Sequence, residues 1–320
     1  MVMLVSRAVA TEQALFPLSS SFQNWTTFSG DSHPFPLNDS TFRPTHEMSG
    51  SVHTYAPAPD GRPSMKAHYP KGSYRPDADP RGGMSFYAPG PASVNLSTAT
   101  HATFAYSVWF PAGFNFVMGG KLPGFYGGEN ETVAMTCSGG SRNTACFSAR
   151  LMWRTNGTGE MYTYLPPANE TGFSANGKLC TLPDSDCNDT FGASIGRGNY
   201  TWTPGQWTTV AERVKLNDVG KANGELELFL DGTSVISVNG LVLRGTNQGR
   251  IRGLQMQTFF GGHTPDWATP IDQDVYFSDF SVAILSTQAA SKSNAHPKLT
   301  KWTIYLSMSC WVAFSVISVF

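Results

Sequence analysis

Within residues 146–166, CFSARLMWRTNGTGEMYTYLP, the residues Ser148, Arg150, Arg154, Tyr162 and Tyr164 all fall on even-numbered positions, while Phe147, Ala149, Leu151 and Trp153 fall on odd ones. Side chains alternate between the two faces of a strand, so the spacing separates an apolar side from a side of guanidinium and phenol groups. Guanidinium pairs with carboxylate, and an aromatic face stacks on a pyranose ring. Those residue types in that pattern suit a sugar acid.

The turn between the two halves decides which side chains meet. If Asn156-Gly157 forms a two-residue turn, Arg150 faces Thr163 and the polar set is split. A three-residue loop, Asn156-Gly157-Thr158, sets Arg154 against Glu160, Met152 against Tyr162 and Arg150 against Tyr164. It also leaves Phe147, Ala149, Leu151, Trp153, Met161 and Leu165 on one apolar side. We adopt the second register because it buries a continuous apolar set. Upstream, MGGKLPGFYGG places Lys121 among five glycines, with Tyr126 close behind. Lysine is the only charge there, and a glycine-rich path lets backbones approach closely.

The elements that must hold these groups are strands. The 320 residues include 32 glycines and 21 prolines, with 12% aromatic residues, which favours many short strands joined by tight turns. In ATFAYSVWF, Phe104, Tyr106, Val108 and Phe110 share a face, and in GELELFLDG so do Leu226, Leu228 and Leu230, ahead of an Asp231-Gly232 turn. Residues 21 to about 100 read as edge strands and long connections. No helix of three turns is expected before the tail. The pattern predicts an all-β jelly-roll sandwich of two antiparallel sheets, a single domain over residues 21–286.

A net charge of −1 argues against nucleic acid as a partner, since no broad basic surface is available. Four of the five cysteines form close pairs, Cys137 with Cys146 and Cys180 with Cys187, each expected to be a local disulfide rather than a zinc site; Cys310 stands apart. Eight N-x-[ST] sequons, at Asn24, Asn38, Asn95, Asn130, Asn156, Asn169, Asn188 and Asn199, add to the expectation of a glycosylated protein of the secretory route. Residues 1–20 read as an incomplete signal peptide. Residues 287–320 read as a linker and apolar tail, with small residues Ser291, Ser293, Asn294 and Ala295 before the apolar run, as in a glycosylphosphatidylinositol signal; a transmembrane helix is the alternative. A monomer at the cell surface or outside it, touching membrane only through that tail, is expected.

The ordered motifs GGKLPGFYGG, CFSARLMWR and GEMYTY, with FFGGHTPDWATPIDQDVYFSDFSVAIL near the end, resemble polysaccharide lyase family 14, especially its fungal members. The resemblance covers about residues 50–286. It implies a β-jelly roll cleaving an acidic glycan, alginate or glucuronan, by β-elimination, and it supports the Cys137–Cys146 bridge. It also implies a catalytic set of Lys121, Ser148, Arg150, Tyr162 and Tyr164.

Elimination requires the uronate carboxylate to be neutralised so that the C5 proton becomes removable. Arg150 and Lys121 are assigned that task, with Ser148 donating a hydrogen bond. Tyr164 is assigned as base and acid, its phenol made more acidic by Arg150 across the strand pair, and Tyr162 as the group that positions the sugar. Lys121 is the rival base. Tyr126, Arg154 and His263 are expected to contact substrate, and Lys66, Lys71 and Arg75 to extend a subsite. No cofactor is expected; Asp272 and Asp274 could hold a structural calcium. A non-catalytic lectin-like module of the same fold is the alternative function, and a retaining glycosidase is disfavoured because no pair of strand carboxylates suits it.

Overall fold

The structure is a computed structural model that describes residues 10–18, 21–188 and 190–288. The expectations for the first nine residues and for the C-terminal tail, including the anchor and Cys310, lie outside the described residues. Among the described residues no helix is long and apolar enough to cross a membrane.

Strands follow one another as β1 Gln23–Thr26, β2 Thr54–Pro57, β3 Pro63–Tyr69, β4 Met84–Ala88, β5 Ala99–Trp109, β6 Gly119–Gly128, β7 Cys146–Arg154 and β8 Gly159–Tyr164. Then come β9 Asp186–Cys187, β10 Ala193–Ile195, β11 Trp207–Lys215, β12 Gly224–Leu230, β13 Thr233–Leu241, β14 Arg250–Phe260 and β15 Gln273–Thr287. One sheet has the order β13-β12-β11-β5-β15-β3-β2, with β1 also on β15; the other runs β4-β14-β6-β7-β8-β10-β9. All pairings between these strands are antiparallel.

The inner faces bury one aromatic-rich core that includes Phe104, Tyr106 and Val108 from β5 with Phe110 just beyond it, Leu226 and Leu228 from β12, and Phe147, Ala149, Leu151 and Trp153 from β7. The period-two alternation seen in the sequence is therefore the alternation between core and outside. Asp231 and Gly232 both take positive φ, 47° and 84°, as a two-residue hairpin turn requires. Residues 10–18, read in the sequence as part of a leader, include a short helix, Glu12–Leu15. It buries Leu15 completely against Ala105, Ala211 and Phe229 on the outer face of the larger sheet. Both expected disulfides are formed, Cys137–Cys146 and Cys180–Cys187. Three sequon asparagines, Asn38, Asn95 and Asn130, cap short helical turns at the surface.

Candidate active site

Strands β7 and β8 hold the centre of the seven-stranded sheet, but in neither register foreseen from the sequence. Ser148 opposes Tyr164, Arg150 opposes Tyr162, Met152 opposes Glu160 and Trp153 opposes Gly159. The loop spans residues 155–158, closed by the Arg154 N–H donating to the Thr158 carbonyl at 2.7 Å. Asn156 and Gly157 both adopt positive φ, 60° and 76°; a Cβ at 157 would lie 2.6 Å from the Trp202 carbonyl oxygen. Trp202 N–H donates to the Gly157 carbonyl and Gly159 N–H to that of Tyr200, so a neighbouring segment, not the turn alone, sets the loop length. The slip from the adopted register is two residues. Because the side-chain period is also two, every face assignment survives although each cross-strand pair changes.

Lysine 121 reaches the same face through a bulge. β6 and β7 change register between Leu122 and Gly124, so Pro123 is an extra residue that re-phases β6. Odd-numbered Lys121 thereby joins even-numbered Arg150 on one side. The two backbone groups freed by the bulge are taken by the opposite sheet: Tyr106 on β5 donates to the Pro123 carbonyl at 3.0 Å, and Phe125 N–H donates to Glu212 Oε2 on β11 at 3.0 Å. Gly124 permits this approach, since a Cβ there would stand 2.2 Å from the Ala149 carbonyl oxygen and 2.7 Å from Arg150 Cα. Burial raises the Glu212 carboxyl far above the usual range, outweighing Phe125 N–H and Arg150, and so favours its protonated form.

One cavity of about 750 Å³ brings together Lys121, Arg150, Arg154, Tyr162, Tyr164 and His263. Arg150 is only 1% exposed and donates from Nη1 to Gln257 Oε1 at 3.0 Å. It makes no ion pair with any described carboxylate, unlike Arg62, Arg75, Arg154, Arg197 and Arg213. Lys121 Nζ lies 3.1 Å from the centre of the Tyr162 ring and donates to Met152 Sδ at 2.8 Å. Burial, then the nearby Arg150 and Arg154, hold its amine well below the usual lysine range, against a weaker opposing pull from Glu160.

The Tyr162 hydroxyl oxygen accepts the Gly192 N–H at 3.1 Å, and that of Tyr164 accepts the Gly140 N–H at 3.3 Å. Each phenol thus keeps its own hydrogen to donate. Burial pushes the Tyr162 phenol up, with Tyr164 adding to the shift, so it remains protonated. Glu160 is fully buried and pairs with Arg154 at 2.6 Å and Arg197 at 2.7 Å, with the Ser194 hydroxyl donating to it at 2.6 Å. Burial opposes its ionisation, but these partners outweigh it and hold the carboxyl below its usual range.

Two expected residues stand elsewhere. Ser148 is buried outside the cavity lining and donates to the Cys137 carbonyl at 2.6 Å, so its hydrogen is committed to the disulfide loop whose Ser138 and Gly139 form part of the cavity wall. Tyr126 is buried and donates to Glu131 at 2.6 Å, also outside the lining. His263 stacks on Phe191, ring centres 4.5 Å apart. Of the outlying cations, Arg75 lines the cavity, whereas Lys66 pairs with Asp274 on the other sheet. Asp274 also meets His68, and Asp272 accepts the Lys71 N–H. Among the described residues no group of three or more His, Cys, Asp or Glu side chains is placed to hold a metal.

Residues that sequence reasoning missed are Gln257, Met152, Arg197 and Trp267; the Arg154–Glu160 pair was foreseen, but not the ties from Glu160 to Arg197 and Ser194. Gln257 was detectable: in GLQMQTFF the two glutamines alternate with Leu254 and Met256, which enter the core. Arg197 and Trp267 come from loops and carried no periodic signal.

A β-sandwich with a cationic cleft across one sheet is the form of a protein that takes a polyanionic chain. The chain belongs to the polysaccharide lyase 14 family, whose model matches residues 57–280, and it is a polysaccharide lyase. It is 31% identical to the PL-14 alginate lyase of the marine Aplysia kurodai, over 83% of this chain and 100% of that one, with a TM-score of 0.68. The alginate lyase vAL-1 from a Chlorella virus matches at 23% identity over 76% and 93%, TM-score 0.61. A mutant of alginate lyase Aly36B, solved in complex with an alginate trisaccharide, shares the fold at 17% identity over 70% and 82%, TM-score 0.53. No curated protein sequence matches.

Proposed function

We propose that the protein cleaves a β-linked uronate polymer, mannuronate-rich alginate or glucuronan, by β-elimination in the Arg150–Lys121 cleft. The observation that carries this reading is Arg150, a buried guanidinium with no carboxylate partner among the described residues, beside an amine that burial holds well below the usual lysine range. A permanent cation without a counter-ion is costly in a low-dielectric wall, and a substrate carboxylate supplies the missing charge.

With the carboxylate on Arg150, negative charge that builds on it as C5 is deprotonated is stabilised in place. Neutral Lys121 takes the C5 proton through its lone pair. The C4–O4 bond then breaks, its electrons leave with O4, and the C5 electron pair forms the C4=C5 bond. Tyr164 donates its hydroxyl proton to O4, and solvent returns the proton from Lys121 to Tyr164. This takes up the rival assignment from the sequence, Lys121 as base, and leaves Tyr164, expected there as both base and acid, the acid role alone: Arg150 stands across from Tyr162, and both phenols are arranged as donors. Base and acid rise from one face, which suits mannuronate and glucuronate, where H5 and O4 lie on the same side of the ring; in guluronate they do not.

The two disulfides and the surface sequons support a secretory, extracellular or cell-surface setting. The test is to incubate the protein separately with polymannuronate, polyguluronate and polyglucuronate and follow the ultraviolet absorbance of the conjugated product. Signal from the first or third, lost in Lys121→Ala, is expected; preferential cleavage of polyguluronate, or binding without product, would overturn the reading.

A further inference from the structure

The cleft does not end at Arg154. Beyond it lies a second basin of about 430 Å³, lined by Met118, Arg154, Thr155, Thr158, Arg197 and Trp267. Three of these, Arg154, Arg197 and Trp267, also line the main cavity, so the two adjoin. The Arg154 guanidinium stands between two rings, 5.7 Å from the centre of Tyr162 and 5.8 Å from that of Trp267, and forms the divide.

Resting on the uronate-lyase reading, we infer that this basin is a distal subsite that binds a second uronate of the same chain, its carboxylate on Arg154 and Arg197 and its ring against Trp267. Two guanidinium groups share one carboxylate, Glu160, which leaves one net positive charge facing the basin. Glu160 takes Nε and Nη2 of Arg154 and Nε of Arg197, so outward N–H groups remain on both. Arg197 is 41% exposed at its side chain, in reach of a ligand. Trp267 is held as a fixed platform: Cβ atoms at positions 262 and 119 would lie 2.2 Å and 3.3 Å from its ring, so glycine at both is what lets the indole settle there. An exposed methionine, Met118, completes the wall with the soft apolar surface that a sugar ring face favours. A cation pair with an aromatic floor, adjoining the cavity that holds Arg150, suits a polyuronate and not a neutral glycan.

The experiment measures kcat/KM for wild type on a ladder of uronate oligosaccharides of increasing length. One added uronate that reaches the basin should raise kcat/KM about tenfold, the worth of a charge-assisted contact. In the double variant Arg197→Gln, Trp267→Ala that step should flatten. As a control that needs no variant, an oligosaccharide with the basin-binding unit carboxyl-reduced to the neutral sugar should lose the same step with wild-type enzyme. A length step retained in the double variant, or unchanged after carboxyl reduction, would overturn the inference. Absence of unsaturated product at every length would instead be the failure of the lyase chemistry itself, and would remove the basis of the subsite with it.

Discussion

The amine of Lys121 sits 3.1 Å from the centre of the Tyr162 ring and 2.8 Å from the Met152 sulfur, with no carboxylate in ion-pair contact among the described residues. A lysine so placed is held toward its neutral form, and the folded chain bears the cost of burying it.

Substituting Lys121 by Met should therefore abolish turnover while raising Tm. The folded pKa is depressed, so between it and the ordinary lysine value of about 10.4 the unfolded chain binds the extra proton and unfolding is favoured. Removing the amine relieves this, by roughly 2–4 °C for each kcal/mol recovered in a chain of this size. Thermal melts should show the gain at pH 7 and its disappearance above about pH 10.4. In wild type, kcat/KM should rise with pH through a group titrating below the ordinary lysine range.

Arg150→Lys should not rescue Arg150→Ala. A two-pronged hold on a carboxylate needs the planar guanidinium, and a loss of about 10²–10³ in kcat/KM is expected for both variants. Steady-state kinetics on the preferred polymer, with Gln257→Ala as a milder comparison, checks this.

Glu212→Gln should fold and turn over, because burial already favours the uncharged carboxyl and an amide oxygen can still accept the Phe125 N–H. Its folded pKa is raised, so wild type forfeits stability as pH climbs past the unfolded value of about 4.3. The variant should melt higher than wild type at pH 7 and equal to it below about pH 4. Glu212→Leu strands the Phe125 N–H and should cost about 1–3 kcal/mol, with a fall in kcat as Lys121 loses its aim.

Ser148→Ala should lower kcat modestly, about fivefold, by releasing the 137–146 loop that carries Gly140 to the Tyr164 hydroxyl. Limited proteolysis should show faster nicking within that loop. If the Ser148 hydroxyl contacted substrate instead, KM would rise with no change in nicking.

Gly120→Ala should be among the most damaging single-methyl additions, since its Cβ would lie 2.0 Å from the buried Trp153 ring. Overpacking of this kind costs about 1–3 kcal/mol and should show as a lower Tm with loss of activity.

By itself the sequence determined which side chains face the core and which face the cleft on β7 and β8, because a period of two survives any even slip in pairing. It determined the two local disulfides, whose partners are close in the chain, and the sandwich class, from its strands and turns. Tertiary structure decided what depends on neighbours distant in sequence. The Trp202 segment pins the 155–158 loop in the register that sets Arg150 opposite Tyr162. Tyr106 and Glu212, from the opposite sheet, stabilised the Pro123 bulge that turns Lys121 toward Arg150. Ser148 and Tyr126 were drawn away by a carbonyl and a carboxylate the strand pattern does not reveal. Loop residues Arg197 and Trp267 joined the cleft through packing alone. Alternation is a local property of the backbone; the contacts that aim a buried amine or guanidinium are not.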